Sequence, residues 1–154
     1  ITKQMLDAFE SHHGSIVAVE EVPRDKVERY GIIGGKLIEP DLYKLDTLVE
    51  KPDRDVAPSN LAIAGRYVFT AEIFDYIDAT PPGKNGEIQL TDAMASMLKD
   101  HDMYALNFHG TRYDIGNKLD FLKTNVVFGL ERDDLGSEFR EFIISTADQL
   151  RGNR

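Results

Sequence analysis

No cysteine occurs among the 154 residues of the sequence. Disulfide bonds and thiolate metal sites are therefore excluded, and a reducing compartment, the cytoplasm, is the expected location. Uninterrupted apolar runs are only a few residues long, whereas about 20 residues are needed to span a bilayer, so we expect no membrane segment. The first residues show no secretory pattern. Because the chain opens without methionine and directly in a helical pattern, we expect it to be a piece of a longer protein.

Basic residues are few compared with acidic ones. The 18 Lys and Arg residues stand against 27 Asp and Glu residues, a formal net charge of -9. This balance argues against a surface that follows a phosphate backbone, so nucleic acid is not an expected partner. A small phosphorylated ligand stays compatible, because one or two local lysines can hold a phosphate. At this length the chain fits one globular domain that buries about 70% of its unfolded surface.

Strand and helix patterns alternate along the chain. Residues 16–19 form a continuous apolar run, which predicts a strand covered on both faces and favours an α/β layer arrangement. Further extended stretches are predicted over residues 43–50, 61–69 and 103–109. A hairpin turn is predicted at Gly34-Gly35. Thr91 or Asp92 is expected to cap one helix, and Asn117 is expected to cap a longer one.

A carboxylate and an ammonium group stand side by side at the end of one predicted strand, in Glu50 and Lys51. Neighbouring strand residues point to opposite faces, so the two can share a pocket only if the strand ends there, and Pro52 favours that ending. A glutamate accepts hydrogen bonds from sugar hydroxyls, and a lysine neutralises phosphate, so the pair suits a sugar phosphate. The alternative is a solvated charge pair before a turn.

A second candidate is Asp114, which lies between a predicted strand end and the helix capped by Asn117. A carboxylate in such a turn suits Mg²⁺, which takes one or two protein carboxylates and completes its shell with phosphate oxygens and water. The alternative is an ordinary turn aspartate. Glu87 and Gln89 either face a ligand or close a loop. The four histidines show no metal-ligand spacing and receive no role.

Several motifs, taken in order, resemble bacterial UTP-glucose-1-phosphate uridylyltransferases. The match extends from the first helix to about Ile144, and the ordered set is more specific than any single motif. The matching runs are Glu20-Glu21-Val22-Pro23, Tyr30-Gly31-Ile32, Val49-Glu50-Lys51-Pro52, Ala57-Pro58-Ser59-Asn60-Leu61-Ala62, Gly65-Arg66-Tyr67, Gly86-Glu87-Ile88-Gln89-Leu90-Thr91-Asp92 and Arg112-Tyr113-Asp114-Ile115-Gly116.

The resemblance implies a Rossmann-like three-layer α/β/α nucleotidyltransferase fold, of which this chain is the carboxyl-terminal portion with a mixed sheet. Residues 1–144 would form the sugar-binding portion, and residues 145–154 a carboxyl-terminal tail. By the same resemblance, Glu50 would hold glucose hydroxyls, Gly31 would offer its backbone to the sugar, and Lys51 would bind the phosphates as a catalytic residue.

Three further positions match the strand that lines the sugar pocket in the wider superfamily, namely Ile63, Gly65 and Tyr67. Asp114 would be one ligand of the cofactor Mg²⁺. Glu87 and Gln89 lie in a matching run without an assigned contact. The ligands implied are UTP, glucose 1-phosphate and UDP-glucose, and the resemblance also implies a homo-oligomer.

The implied activity is transfer of a uridylyl group from UTP to glucose 1-phosphate, which gives UDP-glucose and pyrophosphate. The family's glycine-rich nucleotide loop does not occur in this sequence, so we expect the isolated chain to be inactive. Two alternatives stay open at this point. One is a thymidylyl- or adenylyl-transferring relative, and the other is a non-catalytic module that binds a sugar phosphate or serves assembly.

Overall fold

The computed structural model describes residues 1–83, 86–113 and 115–152. The chain divides into two compact units, Ile1–Gly110 and Thr111–Arg154. The first unit also holds a 3₁₀ helix, Arg24–Arg29. Its other elements are, in chain order, α1 (Thr2–His12), β1 (Ser15–Glu21), β2 (Gly31–Glu39), β3 (Leu42–Glu50), β4 (Leu61–Val68), α2 (Ile73–Ala79), α3 (Leu90–Met97) and β5 (Met103–Asn107). The second unit holds α4 (Lys118–Leu130) and α5 (Gly136–Gly152).

The five strands form one mixed sheet in the order β1-β4-β2-β3-β5, which closes on itself. The pair β1 and β5 is parallel, with Ser15 opposite Met103. The pairs β1–β4, β2–β3, β2–β4 and β3–β5 are antiparallel. The predicted mixed sheet is therefore confirmed. Its closure through β3 and β5 is a long-range pairing that the sequence pattern did not predict.

Strand β1 is covered on both faces, as its continuous apolar run predicted. Val17 and Val19 belong to a core cluster that also contains residues of α2 and α3. Ile16 and Ala18 point the other way and belong to a cluster with Met5 of α1. Since successive strand side chains alternate between faces, one strand contributes to two apolar layers. This alternation places helices on both sides of the sheet.

The turn predicted at Gly34-Gly35 is wrong. Strand β2 continues through both glycines, and the chain reverses after Glu39, where Asp41 takes a left-handed φ of 62°. An aspartate tolerates this conformation, and the preceding Pro40 suits a turn. The β2–β3 register shifts between Gly34 and Gly35, and a Cβ at Gly35 would collide with the Lys44 carbonyl oxygen. The glycine pair thus marks a bulge with close backbone approach.

Helix starts follow the prediction in one case and not in another. The Asn117 side chain accepts hydrogen bonds from the amides of Leu119 and Asp120, so its predicted capping role is confirmed. Helix α3 instead has Gln89 at its N-cap, with no side-chain cap, and Thr91 and Asp92 lie inside the helix. The expected capping role of these two residues is therefore wrong.

The second unit is a pair of helices in contact with each other. Gly129 of α4 faces the Phe139 ring of α5, because a Cβ at Gly129 would lie 2.7 Å from Phe139 Cε1. Residues 145–152, expected as part of a tail, continue α5. In the part of the chain that the structure describes, no helix has the length and apolar character that crossing a membrane requires.

Candidate functional site

The start of β2 and the end of β3 lie side by side. Gly31 and Glu50 are partners in the β2–β3 register. The Lys51 amide then donates to the Tyr30 carbonyl oxygen at 3.0 Å, which continues the pairing one step beyond the strands. The hairpin register therefore places a predicted sugar-contacting glycine next to the predicted sugar-binding glutamate.

The Glu50 carboxylate is held from two directions. Its Oε2 accepts a 2.8 Å hydrogen bond from Thr91 Oγ1, and its Oε1 lies 3.3 Å from Lys51 Nζ. The Glu50 side chain is 24% exposed, whereas the Lys51 side chain is 59% exposed. The carboxylate is thus partly withdrawn from water and oriented, while the ammonium group stays accessible to a ligand.

Gly31 lies where three other side chains meet. A Cβ at this position would lie 2.9 Å from Ile63 Cδ1, 3.1 Å from Glu50 Oε2 and 3.3 Å from Thr91 Oγ1. These distances are shorter than ordinary van der Waals contact, so a larger residue would push the group apart. The structure therefore brings together Gly31, Glu50 and Ile63, three of the residues that the sequence singled out.

The backbone explains how Glu50 and Lys51 face the same region. Strand β3 ends at Glu50, and Lys51 takes a left-handed φ of 45°. The strand ends where Pro52 predicted, and the left-handed conformation of Lys51 interrupts the alternation of strand side chains. A non-glycine residue in this region carries strain of about 1–3 kcal/mol, which the surrounding contacts must offset. The two charged groups lie together at the cost of that strain.

The negative charge of Glu50 affects the pKa of Tyr67. Its pKa is raised above the ordinary value, first because the side chain is half-buried and second because the negative charge of Glu50 disfavours the phenolate. The Tyr67 ring also stacks on Phe69, with centroids 5.2 Å apart. Tyr67 is therefore within electrostatic reach of the group around Glu50.

The other predicted positions have different settings. Gly65 is exposed, has a φ of 68°, and has open space where a Cβ would stand, so its backbone conformation accounts for the glycine. Its predicted role in the sugar pocket stays a prediction. Glu87 is exposed, and its carbonyl oxygen accepts from the Gly83 amide at 2.8 Å. Gln89 is the N-cap of α3.

Asp114, the predicted Mg²⁺ ligand, lies outside the described residues. Within residues 1–83, 86–113 and 115–152, no group of three or more His, Asp or Glu side chains is placed to hold a metal ion. Mg²⁺ binding by Asp114 therefore stays a prediction from the sequence.

Two contributions escaped the sequence reasoning. The first is Thr91, whose hydroxyl was expected to cap a helix and contacts Glu50 instead. The second is the segment that precedes β4, where the Ser59 hydroxyl donates to the Ile33 carbonyl oxygen at 2.5 Å and accepts from the Leu61 amide at 2.9 Å. Arg24 donates to the carbonyl oxygens of Ser59 and Ala57, both at 3.0 Å. These hydrogen bonds anchor the segment to the rest of the first unit. In the sequence, the Ser59-Asn60 pair directly before the strand could have indicated this.

The chain is similar to several proteins of known sequence or structure. The UTP–glucose-1-phosphate uridylyltransferase of Staphylococcus epidermidis is 43% identical over 141 residues, which are 92% of this chain and 49% of that protein. A UDP-glucose pyrophosphorylase structure complexed with UDP-glucose superposes with a TM-score of 0.80 at 41% identity, covering 84% of this chain and 49% of the other. A structure of a UTP-bound UGPase from Acinetobacter baumannii superposes with a TM-score of 0.81 at 36% sequence identity. The superposition covers 92% of this chain and 48% of the other.

The chain spans about half the length of the curated relatives it matches. The family profile described as nucleotidyl transferase matches residues 2–128, which include both strands of the Glu50 hairpin, β4 and α3. The α/β fold with its mixed sheet agrees with this assignment. By this match, the chain belongs to the nucleotidyl transferase family.

Proposed function

We propose that this chain forms the sugar-phosphate half of an enzyme site that transfers a uridylyl group from UTP to glucose 1-phosphate. The observation that carries the proposal is the convergence of Gly31, Glu50 and Thr91 beside the exposed Lys51 ammonium group. Such a site offers hydroxyl acceptors and a phosphate counter-charge a few ångströms apart. The name of the Staphylococcus epidermidis relative supports this choice of reaction.

Glu50 is proposed to bind the sugar hydroxyls. An ionised carboxylate accepts up to about four hydrogen bonds. Thr91 occupies one acceptor position on Oε2, and Lys51 lies against Oε1. Further acceptor positions on both oxygens are left for the sugar. Gly31 is proposed to offer its backbone to the sugar, and the absence of a side chain there lets Glu50, Thr91 and Ile63 pack closely around it.

Lys51 is proposed as the catalytic residue. A phosphate oxygen of glucose 1-phosphate attacks the α-phosphorus of UTP and forms a new P–O bond. The bond between the α-phosphorus and the oxygen that bridges to the β-phosphate breaks, and pyrophosphate leaves. The Lys51 side chain is 59% exposed at the strand end, and its ammonium group neutralises charge on the sugar phosphate as this happens. Positioning of the two substrates supplies much of the remaining rate.

The nucleotide side of the reaction is not assigned to any residue of this chain. Gly34 and Gly35, the glycine pair in its sequence, lie within β2 and not in a loop before a helix. A phosphate-binding glycine loop presents its amides at a helix N-terminus. We therefore expect the chain alone to release no pyrophosphate from UTP and glucose 1-phosphate.

Mg²⁺ is the proposed cofactor, with Asp114 as one ligand. The support is chemical, because this cation takes one or two carboxylates together with phosphate oxygens. When bound, it would neutralise charge on the phosphates. A homo-oligomer and a cytoplasmic location likewise stay predictions from the sequence.

The test of this proposal is Glu50→Gln, first in the 154-residue chain. Calorimetric titration with glucose 1-phosphate should detect binding, and the variant should weaken it by up to about 30-fold, because a neutral amide is a weaker acceptor. The matched control is Glu39→Gln, at the opposite end of β2, which should leave the affinity unchanged. Equal affinity of Glu50→Gln and the parent would contradict the assignment.

A second measurement tests the reaction. In a chimera, this chain replaces the aligned segment of the Staphylococcus epidermidis relative. The chimera should release pyrophosphate only when UTP and glucose 1-phosphate are both present. Glu50→Gln should raise the KM for glucose 1-phosphate and spare that for UTP. A chimera that is folded and binds glucose 1-phosphate but shows no turnover would overturn the proposed reaction.

A further inference from the structure

Thr91 is a buried residue whose hydroxyl points at the candidate site. It is the second residue of α3 and is only 9% exposed. The N-cap of this helix is Gln89, so the Thr91 hydroxyl does not serve as the cap. Its single proton goes to Glu50 Oε2 across 2.8 Å, a contact between residues 41 positions apart in the chain. The hydroxyl thus connects helix α3 to the end of strand β3.

This hydrogen bond restricts a side chain that would otherwise have several rotamers. Glutamate has three rotatable bonds, and ordering such a side chain on ligand binding weakens the affinity. Thr91 holds one carboxylate oxygen before any ligand arrives, and Lys51 lies against the other. The direction in which the remaining acceptor positions point is therefore set by the protein.

Packing around the contact leaves little room for an alternative arrangement. The position where a Gly31 Cβ would stand is 3.1 Å from Glu50 Oε2 and 3.3 Å from Thr91 Oγ1. Ile63 closes the same space, with its Cδ1 2.9 Å from that position. Close packing of this kind transmits small displacements, so we expect loss of the hydroxyl to change the orientation of the Glu50 carboxylate as well as its number of hydrogen bonds.

We propose that Thr91 is a positioning residue that fixes the Glu50 carboxylate and thereby makes the site selective for the configuration of the sugar hydroxyls. The inference rests on the proposed function, since it takes Glu50 as the group that binds the sugar. An oriented acceptor discriminates between hydroxyl epimers, because the wrong epimer leaves a polar group unpaired. A mobile carboxylate would reorient to accept hydrogen bonds from either epimer and would not discriminate between them.

The test compares the affinities of the 154-residue chain for glucose 1-phosphate and its C4 epimer, galactose 1-phosphate, by calorimetry. Thr91→Val removes the hydroxyl at nearly constant shape. It should weaken the binding of glucose 1-phosphate by roughly 3- to 10-fold, and it should reduce the preference for glucose 1-phosphate over galactose 1-phosphate. Thr91→Ser keeps the donor and should retain the preference. Thr91→Cys, a weaker donor, should fall between them.

A matched control is Thr80→Val. Thr80 is also 9% exposed and donates its hydroxyl proton to the Tyr76 carbonyl oxygen, so this change costs a buried hydrogen bond of the same kind without touching Glu50. It should lower stability and leave the epimer preference unchanged. In a Glu50→Gln background, Thr91→Val should add little, because the carboxylate it orients is gone.

The outcomes separate the two proposals. If the parent chain binds neither sugar phosphate, the proposed function fails. If the parent binds and prefers glucose 1-phosphate, but the folded Thr91→Val and Thr91→Cys variants keep the same preference, then the positioning role is wrong. A loss of preference in Thr91→Ser as large as that in Thr91→Val would also overturn it, because the hydroxyl would not be the cause.

Discussion

The two compact units differ in how far they bury their large apolar side chains. In the first unit, Ile16, Ile32, Met94 and Met97 are all fully buried. In the second unit, the helices α4 and α5 expose large apolar side chains. Among them, Leu119, Leu122, Phe128 and Phe142 are between 53% and 62% exposed. The first unit therefore builds its own core, whereas the second withdraws little apolar surface from water.

This difference indicates where the free energy of folding comes from. A large apolar side chain that is fully buried contributes about 1.5–3 kcal/mol relative to an exposed one. In the first unit, the side chains that make this contribution to stability form three core clusters around the sheet. The group around Gly31 and Glu50 is built on that sheet, so its geometry rests on the better-packed part of the molecule.

Truncation of a core side chain in the first unit should reduce stability more than any other change considered. Met94→Ala in α3 should lower the free energy of unfolding by about 2–5 kcal/mol, because it leaves a cavity between helix and sheet. Leu122→Ala in α4 is the matched control, a long apolar helix residue that is 62% exposed, and should change stability by about 0.5 kcal/mol or less. Denaturant unfolding followed by circular dichroism measures both. Equal losses of stability in the two variants would contradict the difference in packing between the units.

A smaller effect is expected at the anchor that holds the segment before β4. Arg24 donates to the Ala57 and Ser59 carbonyl oxygens at 3.0 Å and to Asn60 Oδ1 at 3.3 Å. Arg24→Ala should cost about 1–2 kcal/mol, because it leaves these acceptors to water or unpaired. It should also speed hydrogen exchange at the Leu61 amide, which Ser59 holds.

The control for this change is Arg66→Ala. Arg66 is exposed, and its Nη1 donates a local hydrogen bond to the carbonyl oxygen of its neighbour Gly65. Its removal should leave stability within about 0.5 kcal/mol of the parent. If Arg24→Ala and Arg66→Ala had the same effect on Leu61 exchange, the anchoring role would be wrong.

The smallest effect concerns the titration of Tyr67. Its pKa lies above the ordinary value of 10.0, so the folded state keeps the phenolic proton at a pH where the unfolded chain loses it. Stability from this group is complete below pH 10.0 and falls as the pH rises above that value through the folded pKa. Ultraviolet titration of the phenolate should detect the raised pKa, and Tyr67→Phe should remove its share of the alkaline decline.

Glu50→Gln sharpens this measurement. Because burial is the larger cause and the Glu50 charge the smaller one, the variant should lower the Tyr67 pKa without returning it to the ordinary value. A Tyr67 that titrates normally in the parent chain would show that its half-buried setting beside Glu50 does not form in solution.

Much of the fold follows from local sequence patterns. The apolar run of β1 predicted a strand covered on both faces, and the capping preference of asparagine predicted the start of α4. These features depend on neighbouring residues only, so their signal is present in the chain itself. The Gly34-Gly35 turn was mispredicted because a glycine pair serves a bulge as well as a turn, and only the partner strand distinguishes the two.

The candidate site divides in the same way. The strand end at Glu50 and Lys51 was predictable from the chain, because Pro52 cannot continue a ladder. The contact of Gly31 with Ile63 and the hydrogen bond from the Thr91 hydroxyl to Glu50 arise only when the strands and helices pack together. The difference comes from separation along the chain. A hydrogen bond between residues 41 positions apart depends on strand register and helix packing, which no local preference of either residue specifies.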